Sequence, residues 1–374
     1  HIPRPRQRDR HIQMRQLFSG AILIMAVLSA GCVSTEFYAV SDTSGETGGI
    51  TLVKSRTDTA RNLFTHLKTV NYLIRDPVSG LFYGTVSRIP GTKQGGVATL
   101  RADESGRLEA VAFVQVNGAV PCHLALSPDG SFLYTANYSS ASLTELPLKS
   151  GIPQAGKVIP HRGRGAGKRQ EKAHPHFVGF DPAGKNLHAV DLGLDQVKIY
   201  PWHAGRGIDT KAVEIIRLHA GAGPRHLVFS PDGNTIYVAN ELDSTVSSFV
   251  RRGGKWEAAQ TIRSLNGVPE TRNYPGAIRI TKDGRFLFVS NRGHNSIALI
   301  ETGKNGAMKL LETADCNGDF PRDIALSPDE TEIIAANEKS GTVTFLMFDR
   351  ENRKLVPKKE KLAFPRALGI YFRM

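Results

Sequence analysis

The apolar positions of this chain fall in short runs, each bounded by glycine, proline, asparagine or aspartate. Six of them read "LFYGTV", "SFLYTAN", "NLHAV", "TIYVAN", "RFLFVSN" and "EIIAAN". Runs this short, rich in β-branched and aromatic residues, predict strands. A turn precedes each run, at Pro77, Pro128, Pro182, Pro231, Lys282 and Pro328, so the spacings are 51, 54, 49, 51 and 46 residues. A third and a fourth run complete the unit, as in "STVSSFVRR" and "WEAAQTIRS". Four short strands in roughly 50 residues is the signature of a β-propeller blade. One blade cannot bury both of its faces, so neighbours must stack around an axis. Strands and helices do not alternate, which excludes a doubly wound sheet.

Six units span about residues 71–364. The chain ends supply a seventh. "PRALGIYF" at 365–372 matches "PRHLVFSP" at 224–231 and reads as a first strand. "EFYAVSD" at 36–42 matches "IYVANEL" and reads as a second; "GGITLVKS" and "NLFTHLKT" follow. The expectation is an all-β, seven-bladed β-propeller with four-stranded blades, its closing blade shared by N- and C-terminal strands. Such closure leaves no open sheet edge.

The hairpin "PRHLVFSPDGNTIYVANE" places Arg225 before its first strand and Glu241 after its second. Antiparallel folding brings those ends together. The same position six before each turn gives Asn71, Cys122, His176, Arg225, Gly276, Arg322 and, in the closing blade, Arg366. The position ten after each turn gives Ser87, Tyr138, Leu192, Glu241, Arg292, Glu338 and Asp42. Both columns are expected around one mouth of the central channel, with the "SPDG" turns on the opposite face. Strands and turns nearly copy one another between blades, whereas these positions vary and hold many ionisable groups. A site fits that pattern better than a scaffold requirement does.

Composition changes the picture at two places. With 374 residues, 40% hydrophobic and 22% charged, the chain suits a soluble globular protein with ample core. Of the net charge of +13, residues 1–31 carry +4 (five arginines, one aspartate), leaving +9. The chain opens on histidine, and residues 1–13 read as lying upstream of a start at Met14. "MRQLFSGAILIMAVLSAGC" then has a basic start, an apolar run of about 12 residues and small residues before Cys32, the pattern of a signal peptide. "LSAGC" resembles a lipobox, with Cys32 as the lipidated residue. Residues 32–374 are then one propeller domain, exported to the periplasm or cell envelope, touching membrane only through the lipid. The second basic place, "HRGRGAGKRQEK" at 161–172, reads as a solvated loop insertion. No aromatic residues are interleaved for nucleic acid, and Arg169 stands where a phosphate loop needs Ser or Thr.

Other residues carry blander readings. His226 reads as a packed structural histidine. Cys122 carries no mark of activation, and whether it pairs with Cys316 stays open. "HPH" at 174–176 could chelate, but no third ligand is evident, so no metal and no cofactor is expected.

The segments "HPHFVGFDPAG", "GAGPRHLVFSPDG…NEL", "FLFVSNRGHNS" and "FPRDIALSPDE" resemble the seven-bladed lactonase family, which includes propeller-type 6-phosphogluconolactonases and carboxy-muconate cyclases. The likeness covers about residues 36–372. It implies a site of His176, Arg225, Glu241 and Arg292, all within the two columns, with Arg322, Glu338 and Arg366 as further substrate-binding candidates. Opening a lactone needs a base for water, stabilisation of the oxyanion and a proton for the leaving alkoxide. His176 and Glu241 could serve as base and proton donor in either order, and Arg225 and Arg292 could hold an anionic lactone and its developing charge. Two other readings stay open: a cycloisomerase running toward the lactone, and a non-catalytic propeller that binds a ligand or partner.

Overall fold

The computed structural model describes residues 36–41, 49–58, 63–65, 67, 70–116, 118, 120–267 and 272–373. The leader segment, Cys32 and Asp42 lie outside them. The described elements are strands apart from one 3-10 turn at Lys304–Gly306. They form seven antiparallel sheets. Six are consecutive, beginning at Val70–Arg75, Pro121–Leu126, Pro175–Phe180, Pro224–Phe229, Tyr274–Ile280 and Pro321–Leu326; we number these blades 1 to 6. The seventh combines Ala367–Phe372 with Phe37–Ser41, Ile50–Val53 and Leu63–Thr65. Each innermost strand touches the innermost strands of both neighbours, and Ala367–Phe372 touches Val70–Arg75. The cycle is therefore closed.

In blades 2 and 3 the outermost strand is broken in two, at Ile152–Pro153 and Lys157–Pro160, and at Gly207–Ile208 and Glu214–Arg217. An inter-blade contact sits at the break in blade 3: Glu145 of blade 2 accepts the Ile208 N–H at 2.8 Å.

The core is divided in the same way. Each of seven apolar clusters fills one blade–blade interface, for example Tyr38, Val40, Ile50 and Leu52 of blade 7 against Val70, Leu73, Phe82 and Leu100 of blade 1. No blade owns a complete core, so the ring is the folding unit.

Two recurring features explain the repeat. Asn137, Asn240, Asn291 and Asn337 close the second strand of four blades. Each amide donates to hydroxyls of the third strand, as Asn240 does to Thr245 at 2.9 Å and Ser247 at 2.8 Å. The turns interlock as well. Gly184, Gly233 and Gly284 have φ near +70°; a Cβ at Gly184 or Gly284 would press on Pro128 or Pro231 of the preceding blade's turn, and one at Gly233 would touch Pro182.

Replacing Asn240 by Ala removes two hydrogen bonds, while Thr245 keeps Asp243 and Ser247 keeps Thr261. The expected loss is about 1–3 kcal/mol, read as a lower urea midpoint with an unchanged denaturant slope.

Candidate active site

Every innermost strand breaks its ladder register at its entry. Pro224 pairs with Asn240 and His226 with Ala239, so Arg225 is left over as a bulge. Asn71, Cys122, His176 and Arg322 are the corresponding residues of blades 1, 2, 3 and 6. A bulge turns its extra side chain out of the sheet. Here all five line one cavity in the bore, of about 20 Å³, floored by Tyr72, His226 and Asp323. That volume is room for about one water molecule, far below the roughly 300–1,000 Å³ usual for small-molecule sites.

The closing blade corrects the expected register. Ser41 pairs with Ala367 and Val40 with Gly369, so the bulge is Leu368 and not Arg366. Leu368 lines the cavity. Arg366 precedes the strand, exposed, and reaches Glu338 at 3.2 Å. The sequence match aligned the "PR" pair; the ladder sets the true register two residues later.

The two columns meet as hairpin geometry requires. Asn71 donates to Ser87 at 2.7 Å, Arg322 pairs with Glu338 at 3.1 Å, and Arg225 Nε is 3.2 Å from Glu241. Blade 5 differs: its column residue is Gly276. A Cβ there would approach the Arg292 Nε to 3.2 Å and Ser290 Oγ to 2.7 Å. The missing side chain gives Arg292 room to fold back on the carbonyls of Tyr274 and Pro275, at 3.0 and 3.2 Å. From there Arg292 crosses to blade 4 and grips Glu241 Oε2 at 2.6 Å.

Glu241 is thus the hub, only 3% exposed. Its backbone is fixed by the "GAG" turn: its N–H donates to the Gly223 carbonyl at 2.7 Å, and buried Asp195 accepts the N–H groups of Gly221 and Gly223, both at 2.8 Å. Gly223 needs its positive φ, and a Cβ would collide with Leu242. Burial alone would raise the Glu241 carboxyl, but Arg292, Arg225 and Arg169 outweigh it and hold the group well below the usual carboxylate range. Burial lowers Arg225 to about 9, with the repulsion of Arg292 adding to the effect.

His176 is buried beside this cluster. Desolvation, then Arg225, push its pKa well below the ordinary imidazole value, so the ring is neutral. Its Nδ1 is buried without a hydrogen-bond partner. His226 accepts from Arg225 Nη1 at 3.2 Å and belongs to a ring cluster with His123, Phe177 and His176, with His123 tilted against Tyr72 in turn. That cluster plugs the bore below the cavity. Burial raises the Cys122 thiol to about 11. Cys122 and Cys316 are both free thiols. His174 turns away from His176, stacking on Tyr138 and contacting Glu171 at 3.0 Å. Among the described residues no group of three His, Cys, Asp or Glu side chains is arranged to hold a metal ion.

The basic segment 161–172 corrects a second expectation. It does not merely extend into solvent. Asp191 clamps both ends, accepting from His161 Nδ1 at 2.6 Å and the His174 N–H at 2.8 Å. Gln170 is fully buried and donates to the Leu192 carbonyl at 2.8 Å and Asp195 at 2.7 Å. Next to that anchor, Arg169 reaches over the mouth to Glu241 Oε1 at 2.5 Å. Sequence reading missed this residue. The run of basic residues was visible, but nothing local says that the loop bends back across two blades.

The architecture is a closed propeller whose bore carries a guanidinium-rich cluster around one buried carboxylate. The family "Lactonase, 7-bladed beta-propeller" matches residues 36–372, and the chain belongs to that family. It is 32% identical to the 6-phosphogluconolactonase of Bacillus subtilis over 285 residues, covering 75% of this chain and 81% of that one. Its fold overlays the Pseudomonas aeruginosa periplasmic gluconolactonase with a TM-score of 0.82 and 26% identity, over 91% of this chain and 99% of that one. A Lactobacillus plantarum structure also gives 0.82, at 25% identity and the same coverage.

Acid should destabilise the fold early. His123, His176, His188 and His226 all have folded values lowered by burial. Below the unfolded value of about 6.5, the unfolded chain binds protons that the folded chain refuses. Each group then removes about 1.4 kcal/mol per pH unit until its folded value is reached. Glu241 adds a further loss below about 4.5, its unfolded value. The urea midpoint should be flat between about pH 7 and 8 and fall steadily from pH 6.5 to 5. A flat profile across that window would show that these rings are not buried neutral.

Proposed function

We propose that this protein hydrolyses the lactone of a sugar acid, with a 6-phosphogluconolactone-like ring as substrate, at the mouth of the bore. One observation carries the reading: a neutral imidazole and a buried guanidinium share a cavity wall, with the guanidinium locked by a carboxylate. Glu241 is too weakly basic to activate water and instead holds Arg225 and Arg292 in place. The His176 imidazole takes a proton from water as its oxygen attacks the lactone carbonyl carbon. Arg225 and Arg292 balance the negative charge that develops on the carbonyl oxygen. The ring C–O bond then breaks, the imidazolium returns its proton to the alkoxide, and the open hydroxy acid leaves. The names of the Bacillus and Pseudomonas relatives support a sugar-acid lactone.

The test is a panel of lactones followed by acid release at constant pH. Wild type should open at least one sugar-acid lactone. Arg225→Ala, His176→Ala and Glu241→Gln, checked for folding, should each lose about 100-fold or more in kcat/KM. Undiminished turnover by the folded variants would sink the assignment. Faster ring formation from an unsaturated diacid than ring opening would place the chain with the cycloisomerases.

We further propose export, with Cys32 as the lipid-bearing residue. The leader-like segment supports it, as does the periplasmic name of the Pseudomonas relative. Cys32→Ser should abolish labelling by a fatty-acid analogue in cells and release the protein from the membrane fraction. Unchanged labelling would refute the anchor.

A further inference from the structure

Three guanidinium groups surround the single charge of Glu241: Arg292 at 2.6 Å, Arg225 at 3.2 Å and Arg169 at 2.5 Å. The cluster therefore holds more positive charge than it neutralises. An excess of this kind next to a cavity calls for an anion. The three arginines are not equivalent. Arg225 and Arg292 have side-chain exposures of 3% and 7%, and Arg292 is tied to two backbone carbonyls. Arg169 is 46% exposed. Its other contacts are Tyr138 Oη at 3.3 Å and the Tyr274 ring at 6.0 Å. Its backbone is fixed because Gln170 is buried and bonded to Asp195, which also holds the turn that positions Arg225 and Glu241. The side chain can thus swing while its root stays in register with the site. Exposed Arg162, Arg164 and Lys168 of the same loop add positive field at the entrance.

We propose that Arg169 selects lactones bearing a second anionic group, a phosphate or a carboxylate remote from the ring carbonyl. On binding, the guanidinium leaves Glu241 Oε1 and takes the substrate's anion. The exchange opens the mouth and reduces the partners of Glu241 to the two buried arginines. The bond is noncovalent, so no proton or electron moves. The inference rests on the lactonase reading.

The experiment compares wild type, Arg169→Ala and Arg169→Lys as full chains. Three substrates are used: a neutral hexonolactone, its 6-phosphate and an aldaric-acid monolactone. In Arg169→Ala the ratio of kcat/KM for charged over neutral substrate should fall about 10–100-fold, mainly through KM. Arg169→Lys should restore part of it, since lysine keeps the charge but not the fork. A fall on only the phosphate or only the carboxylate arm supports the proposal and identifies the anion. A ratio unchanged within twofold on both arms overturns it. If wild type opens none of the lactones, the lactonase reading fails by itself. Calorimetric titration with 6-phosphogluconate and gluconate then decides the role of Arg169. Selective weakening of the phosphorylated acid in Arg169→Ala supports it, and equal affinities overturn it.

Discussion

Each blade expels one residue from its innermost ladder at the same point, and the site depends on that irregularity. An unbroken ladder alternates side chains between the two faces of the sheet, toward the neighbouring blades. The bulge breaks the alternation where the strand enters the bore. Asn71, Cys122, His176, Arg225, Arg322 and Leu368 therefore share a cavity although they come from six separate sheets. Since the scaffold supplies the direction, the side chain at each bulge is free to vary. In blade 5 that freedom is used to have no side chain at all, and Gly276 leaves the space for Arg292.

Burying charge in such a bore is costly, and the structure shows how the cost is met. Glu241 sits between guanidinium groups from blades 4 and 5 and from the basic loop. Breaking a buried pair of this kind typically costs about 3–5 kcal/mol, because the remaining charges lose their partner. The carboxylate is therefore held as the counter-ion of these guanidinium groups. Asp195 and Asp191 carry the arrangement outward. Asp195 joins the loop of Gln170 to the "GAG" turn, and Asp191 closes the loop at both ends. Loop, turn and hub are thus tied by one set of hydrogen bonds.

The bore is closed below the cavity by the tilted and edge-on rings of Tyr72, His123, Phe177 and His226. Their burial keeps the imidazoles neutral, and Asp323 beside them is paired with Arg279 at 2.7 Å. The polar contacts offered to a ligand come from the wall and from the mouth.

The sequence determined the repeat, the ring and the closing blade, because period-two runs and turn residues act locally and recur at a fixed spacing. It also determined the pairs within one hairpin: Asn71 with Ser87, Arg225 with Glu241 and Arg322 with Glu338 all follow from turn register alone. Only the tertiary structure decided what happens between blades. Arg292 reaches Glu241 because two sheets pack at a particular angle and Gly276 is bare. Arg169 reaches it because two buried aspartates fold a loop back over the mouth. Leu368 displaces Arg366 because ladder pairing, and not the matching "PR" pair, sets the register of the last strand. Contacts across blades depend on side-chain packing and on loop paths through space, and neither has a period that can be read along the chain.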